Sequence, residues 1–516
     1  MPDHDPTPKQ LAAAIALHRQ GKLAEAERLY ALVLGEDPGN FDALHSLGLV
    51  NLQRGALAAG IGLLARASAV RPDSAEAWSN LALGYARSRR YDEAVASYDK
   101  AIALKPNHAA AHINRGNALL ELRRFADALA SYDKAIALKP GHAAAHNNRG
   151  AALKDLWRYD EALASFEQAI ALNPGYAEAH CNRGAALRDL RRYDEALASY
   201  AKAIQLKPDY AEAHFNEGLC RLLLGQFEIG WRKYEWGWKR DKVARKRHAD
   251  RPLWLGDESI AGKTLLIHAD SGLGDAIQFC RYAPLLEARG AKVLLEVQPP
   301  LTSLMRSLNG VAAIIAQGEP APGSDCQCPL FSLPLACKTT IDTIPNRVPY
   351  LAADPERVAF WRSELGGQGF KIGVASSGNP HNAQDHIRSI PLGSFAPLLN
   401  SSSRLFYLQK EYRPEEEAFL KARPEIRDLH HLDLAETAAV IACMDLVVSA
   451  DTSIAHLAGA LSKAVWILLA FAADWRWLMD REDSPWYPTA RLFRQQSMGD
   501  WAGVMARVAD ALPAPR

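Results

Sequence analysis

Residues 445–471 read DLVVSADTSIAHLAGALSKAVWILLAF, and their pattern decides the fold class of the C-terminal part of the chain. A short apolar run, Leu446 to Val448, leads into Ser449-Ala450-Asp451-Thr452. Ile454, Leu457, Ala458 and Leu461 then recur at helical spacing, and a second apolar run covers Val465 to Leu469. The expected order is strand, helix, strand. Asp451, Thr452 and Ser453 fall at the helix start, where unpaired backbone N–H groups and the positive end of the helix dipole can hold a phosphate. Asp and Thr are equally at home there as simple N-caps. His456, one turn further, fits either a ligand contact or a hydrogen-bonded histidine of the core.

Working outward, the same alternation fills the chain from Pro252 onward. Leu265 to Ile267 is a short buried strand, Gly272-Leu273-Gly274-Asp275 a glycine turn, Ala276 to Ala288 a helix and Leu294 to Val297 a further strand, which makes a βαβ unit. Val311 to Ile315 and Ser324 to Leu335 read as later strands of a first Rossmann-like half, residues 241–353. The turn matches neither a Walker A loop nor G-x-G-x-x-G, so alone it says little about nucleotides, and Asp275 there could be a cap. A second half, residues 354–516, starts with a helix through Trp361 and a strand at Lys371 to Ala375. The long polar loop that follows, SSGNPHNAQDHIRSIP from Ser376 to Pro391, carries Gly378, Asn379, His381, Asp385, Arg388 and Ser389, and α/β sheets place ligand contacts on such loops. A strand at Leu405 to Leu408 brings Gln409 and Lys410 to the same edge. Helices are expected at Thr437 to Met444 and Trp501 to Leu512, with Trp475 to Arg494 as an aromatic loop.

Residues 1–240 have a different period. Pro38, Pro72, Pro106, Pro140, Pro174 and Pro208 stand 34 residues apart. Small residues hold the eighth place of each repeat (Gly48, Ala82, Gly116, Gly150, Gly184), and aromatics the seventeenth and twenty-fourth (Tyr91 and Tyr98, Phe125 and Tyr132). Small residues let paired helices cross closely, and aromatics are expected to fill the gap to the next pair. This is the tetratricopeptide pattern, six clear repeats and a divergent, Trp-rich seventh ending near Trp238 that reads as a cap docking onto the next domain. An amide ladder at the sixth place, Asn80, Asn114, Asn148, Asn182 and Asn216, lies about 200° around the first helix from the packed eighth place, at about 100° per residue. Such a ladder can grip an extended peptide backbone, or it can bond neighbouring repeats to each other.

Sixty basic residues against 59 acidic ones give a net charge of +1, so no global field points to nucleic acid or an anionic membrane. The basic run from Lys239 to Arg251 reads as an exposed linker. No export signal or membrane-length apolar run is visible, which makes the cytoplasm the expected location and reduced thiols the expected state of the seven cysteines. Cys326, Cys328 and Cys337 fit no common zinc spacing.

From Trp254 to Leu512 the chain resembles bacterial tetratricopeptide–glycosyltransferase fusions with a heptosyltransferase-like catalytic part, through GLGDAIQFCRYAPLL, SSGNPHNAQDHIRSIPL, LQK, DLVVSADTSIAHLAGAL and DWRWLMDREDSPWYPTARLFRQ. The resemblance implies an α-solenoid followed by a GT-B fold of two Rossmann-like halves. It further implies inverting, metal-independent transfer from a nucleotide-sugar substrate without a cofactor. Asp275 would be the general base. Arg388 would face the donor phosphates, and Asp451, Thr452 and His456 would match the donor helix. Gly378, Asn379, Ser389, Gln409, Lys410 and Ser453 complete the expected donor contacts, with Lys410 added from its charge and position. The Asn ladder also resembles that of protein O-GlcNAc transferases, which implies a protein or peptide acceptor in the solenoid groove; fusions of this design resemble flagellin-modifying enzymes. Related sequences usually carry Trp at Ser376, Gly at Ser462 and Pro at Ala464 and Ala470. Two alternatives stay open: a solenoid adaptor whose GT-B part has lost activity, for which Ser376 is the main argument, and a lipopolysaccharide or capsule glycosyltransferase.

Overall fold

The 34-residue period becomes a stack of helix pairs, such as Ala109–Glu121 with Phe125–Leu138 and Ala143–Asp155 with Tyr159–Leu172. The computed structural model describes residues 7–240, 247–270, 272–379, 385–399, 403–411 and 413–513. The chain divides into two compact units, Met1–Leu190 with Lys202–Pro208, and Arg191–Ala201 with Asp209–Arg516. In the first unit a Cβ on Gly116 would stand 2.6 Å from the Tyr132 ring, and one on Gly150 would stand 2.6 Å from Phe166. The aromatic of the twenty-fourth place packs onto the small residue of its own repeat and also reaches the next one, Tyr98 meeting Asn114 and Tyr132 meeting Asn148. Both rings are fully buried.

Three further ladders were not read from the period. The fifteenth place is left-handed throughout, with glycine at Gly21 and Gly55 but φ near +60° at Arg89, Arg123 and Trp157, where a side chain strains the turn. Trp78, His112 and His146, at the fourth place, donate to the carbonyls of Pro72, Pro106 and Pro140 at 2.9, 3.0 and 2.9 Å and so pin each inter-repeat turn. Arg115 and Arg149 each reach back to an acid of the preceding repeat, Asp99 and Asp133, at 2.6 Å and forward to Ser131 and Ser165 at 2.7 and 2.6 Å. The acids are half exposed, so these pairs set register more than they add stability.

The second unit holds two all-parallel sheets. The first has the order β3-β2-β1-β4, with β1 Thr264–His268, β2 Lys292–Val297, β3 Ala313–Ala316 and β4 Cys326–Pro329. The second has the order β10-β9-β8-β5-β6-β7, with β5 Phe370–Ala375, β6 Ser403–Tyr407, β7 Arg427–Asp428, β8 Leu446–Ala450, β9 Val465–Leu469 and β10 Ala490–Arg494. β8, wholly buried and flanked on both sides, has the continuous apolar run such a strand needs. An α-solenoid followed by two parallel α/β sheets is the fold expected from the sequence.

Several local expectations change. The helix expected over Ala276 to Ala288 breaks at Cys280–Tyr282, just before Pro284, which has no N–H to continue the ladder. The strand expected over Ser324 to Leu335 is only β4, followed by two short helical turns. The aromatic loop before Arg494 ends in strand β10, and Pro414–Lys421 is a helix. The far end of the expected exposed linker is anchored: Arg247 donates to Ala269 O at 2.9 Å and pairs with the buried Glu296, while Arg251 donates to Ser324 at 3.1 Å. The divergent seventh repeat meets the first sheet through Trp231, whose Nε1 donates to Thr339 O at 3.1 Å, and through Tyr234 stacked on Phe331.

Replacing Gly150 by Val should cost about 1–3 kcal/mol, because the Phe166 ring occupies the space of the new side chain. Thermal unfolding followed by circular dichroism should show the solenoid transition moved to lower temperature.

Candidate functional site

Strand order reverses between β5 and β8 in the second sheet, and ligands bind α/β sheets in the crevice at such a reversal. Two connections leave the sheet there, one after β5 whose described parts are residues 376–379 and 385–391, and residues 451–452 after β8. Arg388 joins them, its Nη1 donating to Asp451 O at 3.1 Å. Asp385 is the buried hub of the first connection. It accepts from Gly378 N at 3.0 Å, Ser389 Oγ at 3.0 Å and Arg388 Nε at 3.3 Å, and it pairs with Arg413. Ser389 is thereby a loop residue rather than an open contact. Gly378 has no room for a side chain, because a Cβ would meet the Arg388 guanidinium. His381 lies outside the described residues.

The first sheet reverses at β1 and β4, and the GLGD turn leaves β1 there. Its helix, Leu273–Phe279, packs on the helix Ser453–Ala460 that follows β8. A Cβ on Gly274 would stand 2.9 Å from the His456 ring and 3.3 Å from Ser453 Cα, so this glycine sets how closely the two motifs approach. Both Asp275 oxygens are engaged: Oδ2 accepts from Gly272 N at 3.1 Å, and Oδ1 is 2.6 Å from Arg476 Nη2. Arg476 also binds Asp474 at 2.8 Å and Gln278 at 2.6 Å. Sequence reasoning passed over Arg476, and its only signal was a charged residue between two tryptophans.

Thr452 holds the N-cap position of its helix, yet its side chain makes no cap bond and meets Ser449 Oγ at 3.2 Å instead. The first-turn N–H groups are left without that side-chain acceptor. The neighbouring Asp451 carboxyl is raised above the usual range by burial, then by the charge of Asp474. His456 follows the core alternative: it is 5% exposed, bonded through Nδ1 to Tyr487 OH at 2.8 Å and stacked on Trp477. Burial, then Arg476, Arg281 and Arg388, hold its imidazole well below its ordinary range, so it is neutral.

Gln409 and Lys410 part company. Gln409, expected at the donor, is buried, and its Oε1 accepts from Ser376 N and Ser377 N at 3.0 and 2.8 Å. It shapes the loop instead of facing a ligand. Ser376 is fully buried, its Oγ donating to Glu416 at 2.8 Å. Lys410 Nζ is buried and has no hydrogen-bond partner among the described residues. Burial pushes its ammonium down to about 8. An unpaired cation at the crevice edge calls for an anion. Asn379 is exposed, and Arg388 and Ser453 are partly so.

The Asn ladder takes the form its second alternative described. Asn80 donates to the His45 ring at 2.8 Å, Asn148 to Asn117 at 2.9 Å and Asn182 to Asn147 at 3.0 Å, each across a repeat boundary. Asn147 donates to Asn148 at 3.1 Å, so an amide relay crosses three repeats. Asn114 meets Tyr98, and Asn216 donates to Glu212 at 3.4 Å. All five amides are only half buried, so an edge of each stays accessible.

Tetratricopeptide repeat profiles match residues 17–83, 75–108, 113–177 and 177–210, and the profile of glycosyltransferase family 9 (heptosyltransferase) matches residues 412–468, a span that holds β8, Asp451 and His456. The chain carries tetratricopeptide repeats, and a short segment of its α/β part is similar to the heptosyltransferase family. Protein FlbA of Caulobacter vibrioides is similar to it, 28% identical over 319 residues that cover 56% of this chain and 53% of that protein. The chain thus spans about half the length of the curated relative it matches. Among solved structures, YrrB, described as a TPR protein with an unusual peptide-binding site, covers 36% of this chain and 95% of its own at 22% identity and a TM-score of 0.32. MamA covers 32% and 96% at 27% identity and a TM-score of 0.31. No helix among the described residues is long and apolar enough to cross a membrane.

If Lys410 receives an anion, affinity for inorganic pyrophosphate should hold up to about pH 8 and fall above it, because only the protonated amine attracts the ligand. Calorimetry should show this decline in the wild-type protein and lose it in Lys410→Met, whose melting temperature should be no lower because a buried charge is gone. A flat profile in the wild type would remove Lys410 from the site.

Proposed function

We propose that the chain transfers a sugar from a nucleotide-sugar to a polypeptide acceptor. What carries this reading is the convergence, at the strand-order reversals of two sheets, of Arg388, the Asp451–Ser453 helix start and the Gly274–Asp275 turn. The donor diphosphate would lie on the first turn of helix Ser453–Ala460 and against Arg388, with Lys410 at its edge. The acceptor hydroxyl would attack the anomeric carbon as its bond to the diphosphate oxygen breaks, inverting the centre. Its proton would pass to Asp275, and the charge that builds on the diphosphate would be met by Arg388 and the helix start without a metal. The Arg476 ion pair holds Asp275 in one orientation, with its second oxygen accepting from the Gly272 N–H. The exposed edge of the Asn ladder would hold the acceptor chain, and flagellin is the acceptor that the family resemblance implies. Against the adaptor alternative, Ser376 is a bonded residue in the buried floor of the loop, donating to Glu416.

Arg388→Ala should weaken nucleotide-sugar binding by roughly tenfold or more, about 1.5–3 kcal/mol for a charge-assisted contact. Unchanged affinity in calorimetry with the fold intact would take Arg388 out of the donor site. Asp275→Asn keeps the acceptor for Gly272 but removes the base, so kcat should fall by roughly 10²–10⁴ with donor affinity held. Turnover near the wild-type rate would place the base elsewhere. Changing Asn114, Asn148 and Asn182 together to Ala should raise the acceptor KM and leave donor hydrolysis alone. A lower melting temperature with an unchanged KM would leave the ladder a purely structural relay.

A further inference from the structure

Behind the candidate site, the loop after β9 faces two ways. Asp474, Arg476 and Trp477 point to Asp275 and His456. Phe471, Leu478 and Asp480 line a solvent-open recess of about 230 Å³ with Arg191 and Arg494, all within the second unit. That volume is smaller than a typical whole-ligand pocket and suits one charged group.

The two arginines are held in place by carbonyl oxygens, and the one acid in the recess wall, Asp480, forms no ion pair with either among the described residues. Arg191 Nε donates to Phe471 O at 2.8 Å, and its guanidinium sits 4.1 Å over the Phe471 ring. Arg494 donates from Nε to Arg481 O at 3.1 Å and from Nη2 to Trp477 O at 2.6 Å. These acceptors are all neutral carbonyls. Neither guanidinium is ion-paired among the described residues, and both terminal nitrogens of Arg191 and Nη1 of Arg494 take no acceptor there. Both side chains are half buried. Burial, followed by the charge of Arg191, lowers the Arg494 guanidinium to about 10, against the opposing pull of Asp480 in the recess wall, and an anion between the two arginines would relieve what remains. The wall is also strained: Leu478 and Asp480 have φ of +53° and +48°, outside any repeat pattern, and such strain gathers where a loop is held for a ligand.

We propose that this recess is an anion-binding site, in which Arg191 and Arg494 clamp a single carboxylate or phosphoryl group. It is separate from Arg388 and Lys410, and it stands whether or not sugar transfer is the reaction of this chain. The group belongs to a larger ligand, an acidic side chain of a bound polypeptide or a charged sugar, or arrives as a free small anion. Because Trp477 and Leu478 are adjacent, an occupied recess stiffens the segment against which His456 packs.

The test is arginine labelling of the full-length chain by phenylglyoxal, read residue by residue by mass spectrometry. At about 10 mM inorganic phosphate, labelling of Arg191 and Arg494 should slow by about threefold or more, as a millimolar site requires, while the exposed Arg232 keeps its rate. The protection should persist in Arg388→Ala, and Arg494→Gln should abolish it at Arg191. Equal labelling of Arg191 and Arg494 with and without phosphate in the wild type overturns the proposal, whatever the variants do. So does protection that disappears in Arg388→Ala. A glutamate-rich peptide that protects at lower concentration than phosphate assigns the group to a polypeptide. UDP-glucuronate doing so assigns it to a sugar, and phosphate alone protecting leaves a site for a free anion.

Discussion

One nearly buried guanidinium joins the two α/β sheets. Arg476, from the loop after β9, holds Asp275 of the turn after β1 and, in the same plane of donors, Asp474 and Gln278. Removing one partner of such a pair leaves the other charge buried and unmatched, which is far costlier than the pair's net contribution. The contact therefore works as a constraint: it fixes the GLGD turn against the segment that carries Trp477, which stacks on His456 and orients the helix after β8. Gly274 makes the arrangement possible, since any larger residue would push the two helix starts apart.

The loop after β5 depends on the same kind of interior bonding. Asp385 collects a backbone N–H, a hydroxyl and two arginines, while Gln409 and Glu416 hold Ser376 and Ser377 from below. These polar side chains serve the shape of the loop. Arg388 bonds across to Asp451 O, and Lys410 Nζ has no hydrogen-bond partner among the described residues. The polar groups of this loop are thus largely satisfied by one another.

In the first unit the amides and arginines that repeat every 34 residues point chiefly at the neighbouring repeat. A stack in which each unit touches only its neighbours needs such lateral bonds, because no long-range core locks the register. The same amides keep an exposed edge.

The period of the prolines, the alternation of apolar runs and the strand–helix–strand pattern at Asp445–Phe471 determined the solenoid, the two parallel sheets and the placing of Asp451 and Asp275 at helix starts. These are local properties, set by side-chain direction and backbone propensity within a few residues. The pattern also carried the departure at Ser462, which adopts φ of +59° where glycine would be unstrained. Only the tertiary structure decided what each polar side chain does. Asp275 and Arg476 are 201 residues apart, as are Ser376 and Gln409 by 33 and Arg191 and Phe471 by 280. Whether Gln409 faces a ligand or a backbone, and whether His456 is charged or neutral, depends on which distant groups fold against it and how much water they exclude. No spacing along the chain encodes that, because hydrogen bonding and desolvation act through space.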